Sequence, residues 1–283
     1  NMAILEAVNL KESKVVDVFI PQKSGSLPNG EWGVVSEERT VDDVIPESAF
    51  ESKKSLFYFS FPEKITEILD LSFAYSNLSG SLVIPDDVRT IEARAFERTN
   101  ISSLTLSNNL VKVADNAFEN CKSLSGSLIF PRSVTYIGHS AFSSCGFSGR
   151  LVLPELLEHI GSFAFRNAGI FSGDLRIPDR ITEIQEAVFN GSGFDGSLEL
   201  NNVTRIGNWA FYGCGFQGEL VLPEGLVEVG SGSFYHNQYT SLILPSTIKT
   251  IGDNAFDGNT RLCGIIDFPE GLVSIGDLSF YGC

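Results

Sequence analysis

Basic residues, histidines and long apolar runs are all scarce in this sequence, and each shortage argues against a class of function. The 283-residue chain has 20 Lys plus Arg against 35 Asp plus Glu, which gives a formal net charge of −15 at pH 7. Proteins that bind nucleic acid or anionic membranes usually carry clustered Lys and Arg. The charge balance therefore disfavours nucleic acid and an anionic membrane surface as partners.

The apolar residues are spread along the chain rather than gathered in one stretch. No run approaches the roughly 18 apolar residues that a membrane-spanning helix needs, so the chain as given is not membrane-spanning. Hydrophobic residues still make up 43% of the chain, which is enough for a continuous core. The polar segment 11–14 close to the start lacks the order of a secretory signal. Either the protein is cytoplasmic or a signal has been removed from the chain.

One phenylalanine recurs at a nearly constant interval, and this repeat predicts the fold. The recurring residues are Phe50, Phe73, Phe96, Phe118, Phe142, Phe165, Phe189, Phe211, Phe234, Phe256 and Phe280. From the first to the last is 230 residues over ten intervals, a mean period of 23. A unit of that size cannot bury its apolar side alone, so neighbouring units must stack into a solenoid.

The other positions of the unit keep register with this phenylalanine. An aliphatic residue stands five positions before it, as in Ile137 and Ile160, and a small residue directly before it, except for Val188. Further upstream, an alternating apolar segment ends in proline, as in 128–131 and 151–154. Alternation predicts one short parallel strand per unit, which Pro ends because it lacks an N–H. The Ala-Phe pair fits a short helical or 3₁₀ turn that places the ring in the core.

Cysteine follows the same register. Four of the five cysteines, Cys121, Cys145, Cys214 and Cys283, stand three residues after a repeated phenylalanine. Free Cys behaves as a small buried hydrophobe, so we interpret the position as one of packing. A disulfide between Cys121 and Cys145 in adjacent units is the alternative. No pair has the CxxC spacing of a zinc site.

The unit Leu-x-Ile-Pro-x-x-Val-Thr-x-Ile-Gly-x-x-Ala-Phe-x-x-Cys, best displayed in 128–145, resembles the BspA-like, Treponema-type leucine-rich repeat. The resemblance covers 41–283 and about ten repeats, and implies a right-handed coil of the α/β class. Residues 1–40 do not match and are interpreted as an N-terminal cap. The resemblance also implies a secreted or cell-surface bacterial protein that adheres to host extracellular matrix or cell-surface proteins, or to glycans.

The sequence offers no constellation for catalysis. His139, His159 and His236 fall at three different positions of the repeat, whereas a catalytic site needs a nucleophile, a base and a stabiliser that converge in one pocket. The glycines follow the repeat and form no phosphate-binding loop. We therefore expect no enzyme, no metal and no cofactor. Two other hypotheses stay open, a structural spacer within a larger surface protein and an enzyme whose site lies in the cap.

The outward position in the middle of each predicted strand is the candidate binding site. It is occupied by Val83, Thr105, Ile129, Val152, Arg176, Glu199, Val221, Ile243 and Asp267, of which the first eight form the predicted face. Two apolar stretches flank a charged centre at Arg176 and Glu199, and exposed apolar patches commonly mark interaction sites. The alternative is that Val and Ile occupy these outward positions only because β-branched residues favour strands, without any role in binding.

Overall fold

The computed structural model describes residues 2–9, 14–21, 44–61 and 64–283. Strands β1 (Met2–Asn9) and β2 (Lys14–Pro21) form an antiparallel pair. The other residues of the predicted cap lie outside the described residues. The hypothesis of an enzyme site in the cap falls on them. The assignment of 1–40 as a cap therefore stays a prediction.

From residue 44 onward the chain is a coil of parallel strands, as the repeat predicts. The predicted strand around Asp267 is an exception, because residues 265–268 form none. We call the strands that lead to the repeated prolines the first strand row. They are β5 (Ser79–Val83), β7 (Asn100–Thr105), β9 (Leu128–Ile129), β11 (Leu151–Val152), β13 (Leu175–Arg176), β15 (Leu198–Glu199), β17 (Gln217–Val221) and β19 (Gln238–Ile243). They pair two by two, β5 with β7, β9 with β11, β13 with β15 and β17 with β19.

Each repeat also contributes a second parallel strand, which the alternation pattern does not predict. This second strand row contains the aliphatic residue five positions before the phenylalanine. Its strands are β3 (Val44–Ile45), β4 (Glu67–Ile68), β6 (Thr90–Ile91), β8 (Lys112–Val113), β10 (Tyr136–Ile137), β12 (His159–Ile160), β14 (Glu183–Ile184), β16 (Arg205–Ile206), β18 (Glu228–Val229), β20 (Thr250–Ile251) and β21 (Ser274–Ile275). Two residues are too few for an alternation to be recognised.

The repeated phenylalanines form one uninterrupted stack through the core. All ten consecutive pairs are parallel, with ring centroids 5.0–5.6 Å apart and interplanar angles of 2–15°. Rings at this separation gain from offset stacking in addition to burial. The prediction of a buried phenylalanine ladder is confirmed.

The segment around each ladder phenylalanine, from three residues before it to three after it, is named the phenylalanine turn. The described residues contain no helix here, and the predicted helical turns are hydrogen-bonded turns instead. Ser140 and Ser144, two residues either side of Phe142, have φ of 51° and 57°, which is left-handed and interrupts a helix. The N–H groups of Ser140, Phe142 and Ser144 donate to carbonyls of the following repeat at 2.8–3.0 Å. The turn is thus a third line of bonds between repeats.

The glycine that follows the second strand in six repeats is explained by close approach between neighbouring turns of the coil. A Cβ on Gly252 would lie 2.5 Å from the backbone nitrogen of Ser231 and 2.7 Å from the carbonyl carbon of Gly230. Because both obstacles are backbone atoms, neither can rotate aside as the end of a side chain could. Glycine therefore lets adjacent repeats stack closely at this corner.

Candidate functional site: the outward positions of the first strand row

The structure brings the eight predicted face residues into one row of exposed side chains. Four pairs lie side by side in register, Val83 with Thr105, Ile129 with Val152, Arg176 with Glu199, and Val221 with Ile243. The leucine that precedes each of them on its strand points inward; seven of these leucines are buried, and Leu104 is partly buried against the core. This alternation follows from the two-residue period of a strand.

The apolar members of the row are all exposed. Ile129 is 61% exposed, Val83 59%, Val221 49%, Ile243 47% and Val152 43%. Their burial on a partner would remove apolar surface from water, at about 25 cal/mol for each Å². The row is therefore apolar surface that a partner would cover with a gain in free energy.

The charged centre of the row is a network of exposed ion pairs. Arg176 Nε lies 3.6 Å from Glu199 Oε2, and its terminal nitrogen Nη2 lies 3.2 Å from Asp179 Oδ1. All three side chains are more than half exposed. Exposed ion pairs of this kind contribute little to stability, about 0–1 kcal/mol.

The first strand row is interrupted after every second strand, and the second row is interrupted once; the two interruptions coincide between the repeats of Phe165 and Phe189. In the first row β11 pairs only with β9 and β13 only with β15, and in the second row one sheet ends at β12 and the next begins at β14. The N–H groups of Leu151 and Leu153 face this junction and have no hydrogen-bond partner among the described residues. The phenylalanine turns remain bonded across it, at 2.7–3.0 Å. Upstream of the strands, the N–H groups of Ile170 and Ser172 also donate across the junction, to the carbonyls of Phe147 and Gly149 at 2.8–2.9 Å. The opening is therefore confined to the two strand rows.

A groove occupies this opening, at the centre of the predicted face. It has a volume of about 350 Å³ and is lined by Arg150, Leu151, Val152, Leu153, Glu155, Asp174, Arg176 and Pro178. Asp174 accepts hydrogen bonds from the N–H and the hydroxyl of Ser197, and these bonds lower the pKa of its carboxyl group. The carboxylate is therefore ionised at neutral pH, so the groove presents two guanidinium groups beside two carboxylates.

The other candidate chemical groups are dispersed in the structure. The ring of His159 stacks on Tyr136, with centroids 4.6 Å apart, and His236 packs edge-on against Tyr235 at 4.2 Å. His139 lies in a third repeat, against Phe163. In the described part of the chain, no group of His, Cys, Asp and Glu is arranged to hold a metal ion. No helix in that part has the length and apolar character needed to cross a membrane.

The cysteines are free thiols, and three of them are buried as the repeat register predicts. The sulfur atoms of Cys121, Cys145 and Cys214 each donate to the carbonyl of the ladder phenylalanine one repeat earlier, at 3.0–3.1 Å. Burial raises the pKa of Cys121 to about 11 and raises those of the other two as well. The cysteine position of the repeat thus contributes a hydrogen bond between repeats as well as packing.

These thiols should differ sharply in reactivity. We expect iodoacetamide at pH 7.5 to modify Cys263, which is exposed, and more slowly Cys283, which is also exposed. Cys121, Cys145 and Cys214 should react only after unfolding, because both burial and a raised pKa suppress the thiolate. Peptide mass spectrometry of native and denatured protein would measure this. Native modification of Cys145 at the rate of Cys263 would contradict the assignment.

The structure also contains a second aromatic stack that the sequence reasoning missed. The rings of Phe147, Phe171, Phe194 and Phe216 are stacked in succession, 4.6–5.9 Å apart. They stand five or six residues after a ladder phenylalanine, at a position that Leu or Ile occupies in earlier repeats. Their spacing along the sequence was the available signal.

Comparison with known proteins agrees with this geometry. The family model of the BspA type leucine rich repeat region matches residues 42–81, 72–195 and 196–283, in six copies. No curated protein sequence matches the chain significantly.

The chain also matches solved structures. The chain is similar to a leucine-rich repeat protein from Bacteroides ovatus, with a TM-score of 0.57 and 18% identity, over 99% of this chain and 91% of that one. It also matches a leucine rich cell surface protein from Faecalibacterium prausnitzii (TM-score 0.49, 21% identity, 99% and 84% covered) and the leucine rich repeat protein of T. pallidum (0.39, 26%, 72% and 81%). The likeness to the first of these is one of fold.

Proposed function

Because this chain belongs to the BspA-type leucine-rich-repeat family, we propose that it is a non-catalytic, secreted or cell-surface protein that binds a partner through the first strand row. The observation that carries the proposal is the registered row of exposed Val and Ile side chains on both sides of a charged groove. Leucine-rich-repeat proteins commonly bind proteins, and a protein of the extracellular matrix or of a cell surface is the partner we propose. A glycan is the other class of ligand for this face.

The dimensions of the row suit a protein interface. Eight strands at about 4.8 Å spacing span about 35 Å, which is comparable with the diameter of a small domain. Interfaces combine an apolar core with arginine anchors, and arginine is enriched among the residues that dominate binding energy. Val152 and Arg176 lie together at the groove and would supply both kinds of contact.

The test is a double substitution, Val152→Asp with Val221→Asp. Two carboxylates placed in a desolvated interface should weaken binding to immobilised matrix or cell-surface proteins by at least about tenfold. Surface plasmon resonance against a panel of such proteins would measure it. Both residues are exposed, so the unfolding midpoint should stay within about 2 °C of the original.

The chain supplies a matched control. Val111 and Val227 are also exposed valines, at 37% and 42%, but lie outside the first strand row. The Val111→Asp, Val227→Asp variant adds the same charge and should bind as the unsubstituted protein does. Equal binding by both variants to every identified partner would refute the proposed face.

A structural spacer is the second candidate, because the phenylalanine stack continues without interruption from Phe50 to Phe280 and makes a stiff element. A spacer should show no saturable binding to the panel, either as the unsubstituted protein or as any of the variants. Absence of binding across the panel would favour it over recognition.

A further inference from the structure

A second surface of the coil has a different chemistry, and it goes beyond the proposed function. Trp209, Tyr212, Tyr235 and His236 lie on two successive phenylalanine turns, and we name them the turn-face aromatic cluster. Trp209 is 46% exposed, Tyr212 36%, and His236 is exposed. The turns lie across the core from the first strand row, since Phe130 of the strand segment meets the ring of Phe142 in the core at 5.5 Å. The cluster and the predicted face are therefore separate surfaces.

The rings of the cluster contact one another or the adjacent backbone. Tyr212 and Tyr235 are parallel, with centroids 4.9 Å apart and planes 3° apart, and Tyr235 meets His236 edge-on. The indole of Trp209 lies where a side chain on Gly232 would be, with Nε1 2.7 Å from the ideal Cβ position. A glycine at 232 thus makes the space that the indole fills.

The backbone beneath the cluster is held by bonds between repeats. The N–H groups of Trp209, Gly213 and His236 donate to carbonyls of the following repeat at 2.8–2.9 Å. These bonds fix the main chain on both turns, so the backbone needs little ordering when a ligand binds. A surface prepared in this way loses less entropy on binding.

The backbone conformation of Trp209 is a property of the repeat. Its φ is 54°, and the residue two positions before the ladder phenylalanine has positive φ in every repeat, from Ser48 at 55° to Leu278 at 56°. The fold therefore imposes the left-handed conformation whatever the side chain. What distinguishes Trp209 is a large aromatic side chain that is half exposed beside two tyrosines on the neighbouring positions.

We propose that the turn-face aromatic cluster binds a neutral oligosaccharide. The apolar C–H face of a sugar ring would pack against Trp209, while its hydroxyls bond to the Tyr212 and Tyr235 hydroxyls and the His236 ring. The cluster contains no Lys or Arg and belongs to a chain of net charge −15, so sulfated or carboxylated sugars would be repelled. The cluster also lacks the exposed Val and Ile side chains of the first strand row. Its aromatic rings have polar groups at their edges, which suits a sugar, since a sugar is apolar on its faces and polar at its rim.

The repeat itself supplies replacements that should fold. Trp209→Asn introduces the residue found at Asn116 and Asn254, and Tyr212→Ser introduces the residue found at Ser143. Isothermal titration with cellohexaose, mannohexaose and chitohexaose should give saturable binding of at least one sugar to the unsubstituted protein. The double variant should bind that sugar about tenfold more weakly or not at all. Its circular dichroism and unfolding midpoint should be unchanged or slightly improved.

Two controls separate the outcomes. Phe163→Asn changes an aromatic residue at the repeat position of Trp209 but outside the cluster, and it should leave sugar binding intact. The Val152→Asp, Val221→Asp variant should also keep it, whether or not the strand face binds a protein. The proposal is overturned if no neutral sugar binds, if the cluster variant binds as well as the original, or if the cluster substitutions abolish only binding of a protein.

Discussion

Replacing Phe165 with alanine should lower the free energy of unfolding by about 3–5 kcal/mol. The ring is fully buried and stacks between Phe142 at 5.6 Å and Phe189 at 5.4 Å. Its removal takes away buried apolar surface and leaves a cavity that a backbone bonded on both sides cannot fill by collapse. Urea unfolding followed by circular dichroism would measure the change. An unaltered midpoint would contradict the packing.

The position of Phe165 should also change how the coil unfolds. Both strand rows are interrupted between this repeat and the next, so the ring stack and the turn bonds supply much of the coupling there. In a repeat protein, cooperativity depends on the interface between neighbours. We therefore expect the variant to unfold in two steps, one for each half of the coil.

Phe118→Ala is the matched control for that expectation. Phe118 is equally buried and stacked, at 5.1 Å and 5.2 Å from its neighbours. Here only the first row is interrupted, between β7 and β9, whereas β6, β8 and β10 of the second row pair continuously. Loss of the Phe118 ring should cost a similar free energy while the transition stays single. Two steps in both variants, or in neither, would show that the strand interruption does not weaken coupling.

Replacing Asn237 with leucine should have the second largest effect, a loss of about 2–5 kcal/mol, since each buried polar group left unpaired costs about 1–3 kcal/mol. The Asn237 side chain is fully buried; its Nδ2 donates to the carbonyls of Phe211 at 2.8 Å and Phe234 at 3.1 Å, and its Oδ1 accepts from the Phe216 N–H at 3.1 Å. Leucine has a similar volume but can make none of these bonds. Thermal unfolding would report the difference.

Asn237→Ser separates hydrogen bonding from volume. The same repeat position holds Ser192, whose hydroxyl donates to the carbonyl of Phe165 and accepts from the Ala168 N–H at 3.0 Å. Serine should therefore retain part of the network and cost about 1–2 kcal/mol despite its smaller size. A serine variant less stable than the leucine variant would show that packing dominates at this site.

The sequence was sufficient to predict the coil and its core because the phenylalanine occurs in every unit. Eleven rings in one register leave a single way to bury them all, and the structure confirms this arrangement in all ten stacked pairs. The buried position of Cys121 was predictable for the same reason. Because the same pattern recurs in every unit, a departure in one unit, such as Val188, does not change the predicted fold.

Other features could not be predicted because they depend on relations between repeats. The second strand row has only two residues per strand, and the left-handed residues of the turns include Ser, Arg, Leu and Trp as well as Asn and Gly. Residue type therefore does not reveal their conformation. The face residues could be located from strand alternation, but the groove beside Val152 could not, because it arises from an interruption in pairing that no single repeat encodes.

The hydrogen bonds of the phenylalanine turns give one side of the coil an electrical direction. In the turn of Phe142, three N–H groups point toward the following repeat, and the carbonyls that receive them point back. Peptide dipoles aligned in this way add along the line of turns, as they do along an α-helix, but here the positive end is on the C-terminal side. In the second strand row, the N–H groups of Gly138 and Gly161 donate to the preceding repeat at 2.8 Å instead. The coil therefore has two lines of peptide dipoles that oppose each other along its axis.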